Sequence, residues 1–305
     1  MDTSSVFTNL PELPLEAWEA SKRTLNLYCQ IVGKVRLGLH PRLNHWWHAT
    51  LYVSPRGLTT QAIPLKDGLI DLEFDLVDHL LVIRSTSGSK EVIKLENGLS
   101  IARFYEAVMT SLGKLGVHVN ILAKPYDPDK VGSDIPFAED DTNASYDPEF
   151  VTHYWHILTW IDAVFREFKG KFYGKSTPVH LFWHSFDLTY TRFSGKAAPL
   201  EGGSKVDKEA YSHEVISFGF WPGDSSVPAP AFYSYTYPEP EGLRTMPLRP
   251  SEATWVGDAS AMAILMYDDV RQADSPKEAL LEFLQSAYLA GATRANWDIA
   301  ALEHV

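Results

Sequence analysis

The chain, 305 residues long, predicts an α+β fold built from two similar halves, and three features carry that prediction. The first is a repeat. Ile31-Val32-Gly33-Lys34, Asn44-His45-Trp46-Trp47-His48, Leu51 and Arg56-Gly57 recur, loosely rewritten, as Phe172-Tyr173-Gly174-Lys175, His180, Phe182-Trp183-His184, Leu188, Arg192 and Gly195. Nine positions separate Trp47 from Arg56, and nine separate Trp183 from Arg192. The second is order: each copy follows an amphipathic helical pattern and precedes strands and a further helix. The third is the run Ile70-Asp71-Leu72-Glu73-Phe74-Asp75-Leu76. Its strict alternation marks an antiparallel strand with one face on a core and one in water. A duplicated unit implies a pseudo-two-fold axis, with residues 31–57 superposing on 172–195 and both tryptophans buried in strands.

The elements follow in order. Pro14 and Glu16 open a helix, with proline at the first turn and an acid at the positive end of the dipole. Leu15, Trp18, Leu25, Tyr28, Ile31 and Val32 form its apolar stripe, and Gly33 is expected to end it. Residues 35–39, 46–53 and 58–64 read as strands. So do 80–84 and 92–95, with Ser87-Gly88 as a turn. Ser100 caps a helix whose stripe Ile101, Phe104, Val108, Leu112 runs to Gly116. Residues 124–146, rich in proline and aspartate, read as a linker between a first half (10–123) and a second (147–292). Asp147-Pro148-Glu149 starts a long helix with stripe Val151, Trp155, Leu158, Ile161, Phe165, Phe168. Strands over 213–221, 232–237 and 263–267 follow. Ser275-Pro276-Lys277-Glu278 then reads as a capping box for the last long helix, and 293–305 as a C-terminal extension.

Composition narrows the functions. Hydrophobic residues make up 45% and charged ones 22%, as in a globular protein. The formal net charge of −12 argues against a nucleic-acid partner. No apolar run is long enough to span a bilayer. Met1–Asn9 lacks the basic and apolar regions of a signal peptide. Cys29, the one cysteine, excludes an intramolecular disulfide and reads as a buried thiol in a cytoplasmic protein. Asp71, Glu73 and Asp75 read as a solvated sheet face rather than calcium ligands, since no glycine-turned loop accompanies them. There is no dinucleotide, phosphate-loop or serine-hydrolase motif.

Chemistry gathers at the repeat. Placed symmetrically, His48 and His184 meet near the axis, and His213 with Glu214 joins from a neighbouring strand. His48, His184 and His213 would suit a single transition metal, although no close-spaced ligand motif is present. His153 and His156, three apart on the long helix, read as flank residues. Lys34 with Lys175, and Arg56 with Arg192, supply paired cations suited to an anionic group, unless an arginine is held by a local acid such as Asp187. Tyr211-Ser212-His213-Glu214 and the aromatic turn at Trp221 combine hydroxyl, imidazole and carboxylate. Tyr233, Tyr235 and Tyr237 share one strand face, which fits a ligand pocket with polar tips or a sheet surface under a helix.

Gln30-Ile31-Val32-Gly33-Lys34, Asn44-His45-Trp46-Trp47-His48, Arg56-Gly57-Leu58-Thr59-Thr60, Ser185-Phe186-Asp187-Leu188, Thr191-Arg192-Phe193-Ser194-Gly195, Tyr211-Ser212-His213-Glu214 and Gly219-Phe220-Trp221-Pro222-Gly223 also resemble an uncharacterised group of bacterial and fungal proteins. It is a domain-of-unknown-function family, and the resemblance runs over nearly the whole chain. It implies no activity or cofactor. It does imply glycine rather than histidine after the tryptophan matching Trp183, which moves weight from His184 to His48 and His213.

The expected function is a small-molecule enzyme with an aromatic-lined, polar cleft between the halves. His48 and His213 would be its acid/base groups or metal ligands, Glu214 their partner and Tyr211 a further catalytic residue. Arg56, Arg192, Lys34, Lys175 and Trp221 would bind substrate. The competing expectation is a non-catalytic ligand binder using the same cleft. A third, a protein-interaction module, predicts an exposed aromatic patch instead of a deep cleft.

Overall fold

Two antiparallel sheets joined edge to edge, with helices packed on them, form the described part of the chain. The structure is a computed structural model that describes residues 9–304; the N-terminal segment weighed as a signal peptide falls outside it up to Thr8. In chain order the elements are α1 (Leu15–Leu39), β1 (Tyr52–Ser54), β2 (Gly57–Thr59), β3 (Ile63–Leu65), β4 (Gly68–Asp75), β5 (Leu80–Ser85), β6 (Lys90–Lys94), α2 (Ile101–Lys114), α3 (Pro128–Val131) and α4 (Pro148–Gly170). Then come β7 (His180–Phe182), β8 (Asp187–Ala197), α5 (Lys205–Ala210), β9 (His213–Trp221), β10 (Ala231–Tyr237), β11 (Thr254–Val256), β12 (Met262–Met266), α6 (Tyr267–Arg271), α7 (Pro276–Arg294) and α8 (Ile299–Leu302). The α+β class is as predicted.

Helix α1 runs six residues past Gly33, so the strand expected at 35–39 is its last turn and a half. Gly33 is a packing glycine: a Cβ there would lie 2.2 Å from Cδ1 of Trp183. The stop comes from Pro41, which disfavours helical geometry at His40; His40 sits at ψ 137°. Every residue from Thr24 to Arg36 is buried, so this helix is surrounded, as a helix without a wet face must be. Helix α4 begins as read, Asp147 Oδ1 accepting from the backbone N–H groups of Glu149 and Phe150. Ser275 makes no side-chain cap on α7; the capping box is instead on the unpredicted α5, between Ser204 and Asp207.

The first sheet has the order β1-β2-β4-β5-β6, with β3 also on β4. Ile70, Leu72 and Phe74 face inward. Asp71 and Glu73 face outward and pair with Arg84 at 2.8 and 2.6 Å. The second sheet has the order β11-β12-β10-β9-β8-β7. The sheets meet at one reciprocal pair of hydrogen bonds, Leu51 N–H to Leu181 O (2.9 Å) and Leu181 N–H to Leu51 O (2.8 Å).

Neither Trp-His segment is a strand. Asn44–Trp46 is a 3-10 turn in which His45 and Trp46 hold φ of 53° and 62°. Trp183 starts the turn between β7 and β8. Trp183 is buried, whereas Trp47 is half-buried. Residues 124–146 carry α3 and lie against α1: Tyr126 and Gln30 exchange a backbone-amide pair at 2.7 and 3.3 Å.

The second sheet's two faces divide by residue parity. Tyr190 and Phe218 meet Phe168 of α4, and Ile216 lies against Gly291 of α7. Asp187, Thr189, Thr191, Ser217, Tyr233 and Tyr235 therefore point the other way, into a cavity.

Candidate functional site

That cavity has a volume of 580 Å³, within the range of small-molecule sites. Its floor is the hydroxyl-bearing face of β8, β9 and β10. Its walls come from Lys34 and Leu37 of α1, His45 to Trp47, residues 120–122 and Tyr126, the β7–β8 turn, and Val206 to Tyr211 around α5. Both halves and the segment between them thus contribute.

Local packing explains the floor. Gly219 stands opposite Tyr233 in register, and a Cβ on it would lie 2.3 Å from Tyr233 Cζ. Glycine lets that ring lie across the strand. Tyr233 Oη then donates to Asp187 Oδ2, while Ser185 Oγ donates to Asp187 Oδ1. The Tyr211 and Tyr235 hydroxyls are bonded to each other at 3.0 Å, and Thr191 Oγ1 to Ser217 Oγ at 2.8 Å. Burial, followed by the charge of Asp187, pushes the Tyr233 hydroxyl well above its ordinary pKa. Burial does the same to Tyr235. Both remain protonated donors.

The β7–β8 turn is clasped from two sides. Asn26 Nδ2 donates to Trp183 O at 2.7 Å, and Tyr154 Oη donates to Phe186 O at 3.0 Å. Phe186 is held at φ 63°, a conformation that costs a bulky residue on the order of 1–3 kcal/mol and persists only where partners over-determine it. At the other wall the left-handed His45 is fixed the same way. Its Nδ1 bonds Glu209 O at 3.0 Å, and Lys175 Nζ donates to its Nε2 at 2.6 Å. With Nε2 accepting, Nδ1 carries the proton. Burial and then Lys175 hold the imidazole below its usual pKa, in the neutral form.

Of the residues picked from sequence, Lys34, His184 and Tyr211 line the cavity, as do Tyr233 and Tyr235 of the tyrosine face. Lys34 is 7% exposed, with Nζ 5.7 Å from the Phe137 ring and 5.8 Å from that of Trp183. Burial, reinforced by Lys124, lowers its pKa to about 8. His184 sits between Tyr126 and Phe182, and burial lowers its pKa.

The other picks lie elsewhere. His48 stacks on Trp46 and its Nδ1 accepts from Leu43 N–H at 3.2 Å, closing its own turn. His213 contacts Ser212 Oγ at 3.0 Å, its ring 5.9 Å from that of His45. Glu214 lies 3.9 Å from Lys196. Arg56 binds Asp75 and Asp78 at the edge of the first sheet. Lys175 serves His45. Trp221 packs on Tyr233 from outside the lining, 5.7 Å between rings. Arg192 is fully buried on the helix side, 2.9 Å from Glu303 and 2.7 Å from Phe168 O, its guanidinium 3.7 Å from the Phe168 ring. Asp187, weighed as its partner, points to the other face. His48, His184 and His213 occupy three different settings, and among the described residues no group of three or more His, Cys, Asp or Glu is placed to hold a metal. Sequence reasoning missed Asp187, Thr189 and Thr191 as site residues; the alternation of Asp187-Leu188-Thr189-Tyr190-Thr191 was the signal that marked them.

A two-sheet α+β protein with a roofed, aromatic-walled cavity over a hydroxyl-bearing floor is the class that fold and site define. The chain belongs to a family of unknown function (DUF5996), whose model matches residues 10–304. No protein of curated function and no solved structure matches it. Among the described residues no helix is long and apolar enough to cross a membrane.

Proposed function

We propose that this protein holds a small, largely apolar molecule bearing hydrogen-bonding groups in the cavity between its halves. One observation carries the reading: a sheet face of hydroxyls around one carboxylate, which would ordinarily face water, is roofed by aromatic side chains from four separate segments. Buried polar groups facing a cavity of this size are stabilised by a partner with matching donors and acceptors. A cytoplasmic setting fits the lone buried thiol, Cys29. The shared order of helix, antiparallel sheet and helix in both halves supports descent from one duplicated unit, whereas residues 31–57 and 172–195 do not match along their length, since Gly33-Lys34 lies inside α1 and Gly174-Lys175 lies beyond the end of α4.

Catalysis in the same cavity is favoured by Asp187, a carboxylate 7% exposed that receives hydroxyl hydrogens from Tyr233 and Ser185 in the cavity wall. Such a carboxylate is placed to take a proton from a bound molecule, with Tyr233 and Ser185 fixing its orientation. No metal or nucleotide enters this reading.

The test is a thermal-shift screen of diverse small molecules against the protein and its Thr189→Trp variant, which fills the floor. Ligands that stabilise the first and not the second support the proposal. Ligands that stabilise both equally, or none across a broad library, overturn it. Asp187→Asn then separates the two readings: retained binding with lost turnover of a hit identifies an enzyme.

A further inference from the structure

Lys34 is the only lysine or arginine among the described residues lining the cavity. It is buried, and among the described residues no carboxylate lies within ion-pair distance of its Nζ and no acceptor bonds it. Its near neighbours are two aromatic rings and, in the field it feels, a second cation, Lys124. A buried cation without a counter-ion is costly, and a ring face offsets only part of that cost. The cavity is where its partner has room to sit.

Resting on the ligand-binding reading above, we infer that the cavity takes a monocarboxylic acid with an aromatic or alicyclic body, its carboxylate paired with the Lys34 ammonium and a hydroxyl or N–H group bonded at the Asp187–Tyr233–Thr189 floor. Three observations set this class. One buried cation neutralises one negative charge, so a phosphate dianion would bring surplus charge into an aromatic wall. Asp187, already an acceptor of two hydrogen bonds, repels a carboxylate at the floor and favours a donor there, which orients the ligand. Trp47, Phe182, Trp183 and Phe193 line the walls between and match an apolar body.

The pH behaviour follows from the same geometry. Burial keeps the Lys34 amine at about 8, and a bound carboxylate favours its charged form. Carboxylate affinity therefore falls as pH rises through about 8, while a neutral ligand shows no such loss. The other ionisable groups on the cavity wall are His45, His184, Asp187, Asp207 and the tyrosines. Lys124, outside the lining, is the charged neighbour that acts on Lys34.

The experiment measures affinities of hydroxylated arene and fused-ring monocarboxylates, each beside its primary amide and the matching phosphate monoester, for the protein and for its Lys34→Met and Lys34→Gln variants. Acids should bind about tenfold or more tighter than their amides, and either variant should erase that difference while leaving amide affinity in place. Amides binding as well as acids, or an acid preference that survives both variants, overturns the inference and leaves the ligand-binding reading standing. Phosphate esters outbinding acids at Lys34 also overturns it. If no acid, amide or ester binds and Thr189→Trp changes nothing, the inference and the reading it rests on both fall.

Discussion

The two sheets present the same alternation to opposite ends. In β4, apolar residues alternate with Asp71 and Glu73, which reach water and are tied to Arg84. In β8, apolar residues alternate with Thr189, which is buried, and Thr191, whose hydroxyl bonds that of Ser217 within a roofed floor. Charged side chains are too costly to bury unpaired, so a face that carries several of them stays wet, while the single carboxylate on the roofed face, Asp187, is held by hydrogen bonds from Tyr233 and Ser185. Hydroxyls are cheap to bury once bonded, so a face that carries them can be covered. The chemistry of the polar residues, rather than their period, separates a solvated surface from a site. The tyrosine face of β10 belongs to the second kind for the same reason: a phenol buries area while keeping a hydrogen to donate.

The sharpest contrast lies between neighbours on one strand. Arg192 faces the helices and Thr191 faces the cavity. Arg192→Met should leave the nearly buried Glu303 carboxylate without its ion-pair partner, held by Gln285, and cost about 3–5 kcal/mol, the largest effect expected here. Adding Glu303→Gln should restore part of it. Urea unfolding measures both. Ligand affinity should not move, because the guanidinium is walled off by Phe168, Phe172 and Tyr288. A lost affinity with intact folding would show that the two faces are not independent.

Much of this was legible in the sequence. The stripes of α1, α2 and α4, the strand over 213–221 and the tyrosine face of β10 are local patterns, and local physics settles them. What escaped depends on distant residues. Gly33 resembles a helix stop until Trp183 is seen lying on it. Trp47 and Trp183 resemble equivalent strand residues, yet one follows a left-handed pair at His45 and Trp46 and the other opens a hairpin turn clasped by Asn26 and Tyr154. Arg192 was legible and misweighed: its parity with Leu188 and Tyr190 points it at the helices, whereas its residue type suggested an anion site. The cavity roof comes from four segments far apart in the chain, so no window of sequence contains it.

The seam between the sheets should respond to acid. His180, one residue from the Leu51–Leu181 bridge, is fully buried with neither ring nitrogen bonded, and burial holds its pKa at about 3. The unfolded imidazole protonates near 6.5, so the unfolded state takes up the proton first as pH falls. Stability is then complete above about pH 6.5 and declines below it, by about 1.4 kcal/mol per pH unit at most, until the folded pKa is reached. His180→Leu should flatten the decline between pH 6.5 and 4.5 in urea titrations. An unchanged slope would assign the acid sensitivity to other groups, with His45 and His48 next in line since their pKa values are also lowered by burial.

On the cavity floor the effects on folding should be smaller and those on binding larger. Thr191→Val alone removes one of the partners of Ser217 Oγ and should cost about 1 kcal/mol, whereas Thr191→Val with Ser217→Ala removes both members of that pair and should cost less. Both variants should weaken a bound ligand. If the double variant binds normally, the hydroxyls serve only the sheet and the floor loses its role in recognition.

The first sheet supplies the control and the smallest effect. Arg84 is 40% exposed and reaches both Asp71 and Glu73. Arg84→Ala removes two pairs in high dielectric, where each contributes between 0 and about 1 kcal/mol and salt screens the remainder. Like charges left at Asp71 and Glu73 add a little repulsion across the strand face. The destabilisation should therefore shrink when unfolding is repeated in high salt, and ligand affinity should stay as it was. A loss comparable to that of Arg192→Met, insensitive to salt, would mean that the acidic face of β4 is not the solvated counterpart of the floor. The contrast between a wet charged face and a roofed hydroxyl face would then no longer separate surface from site.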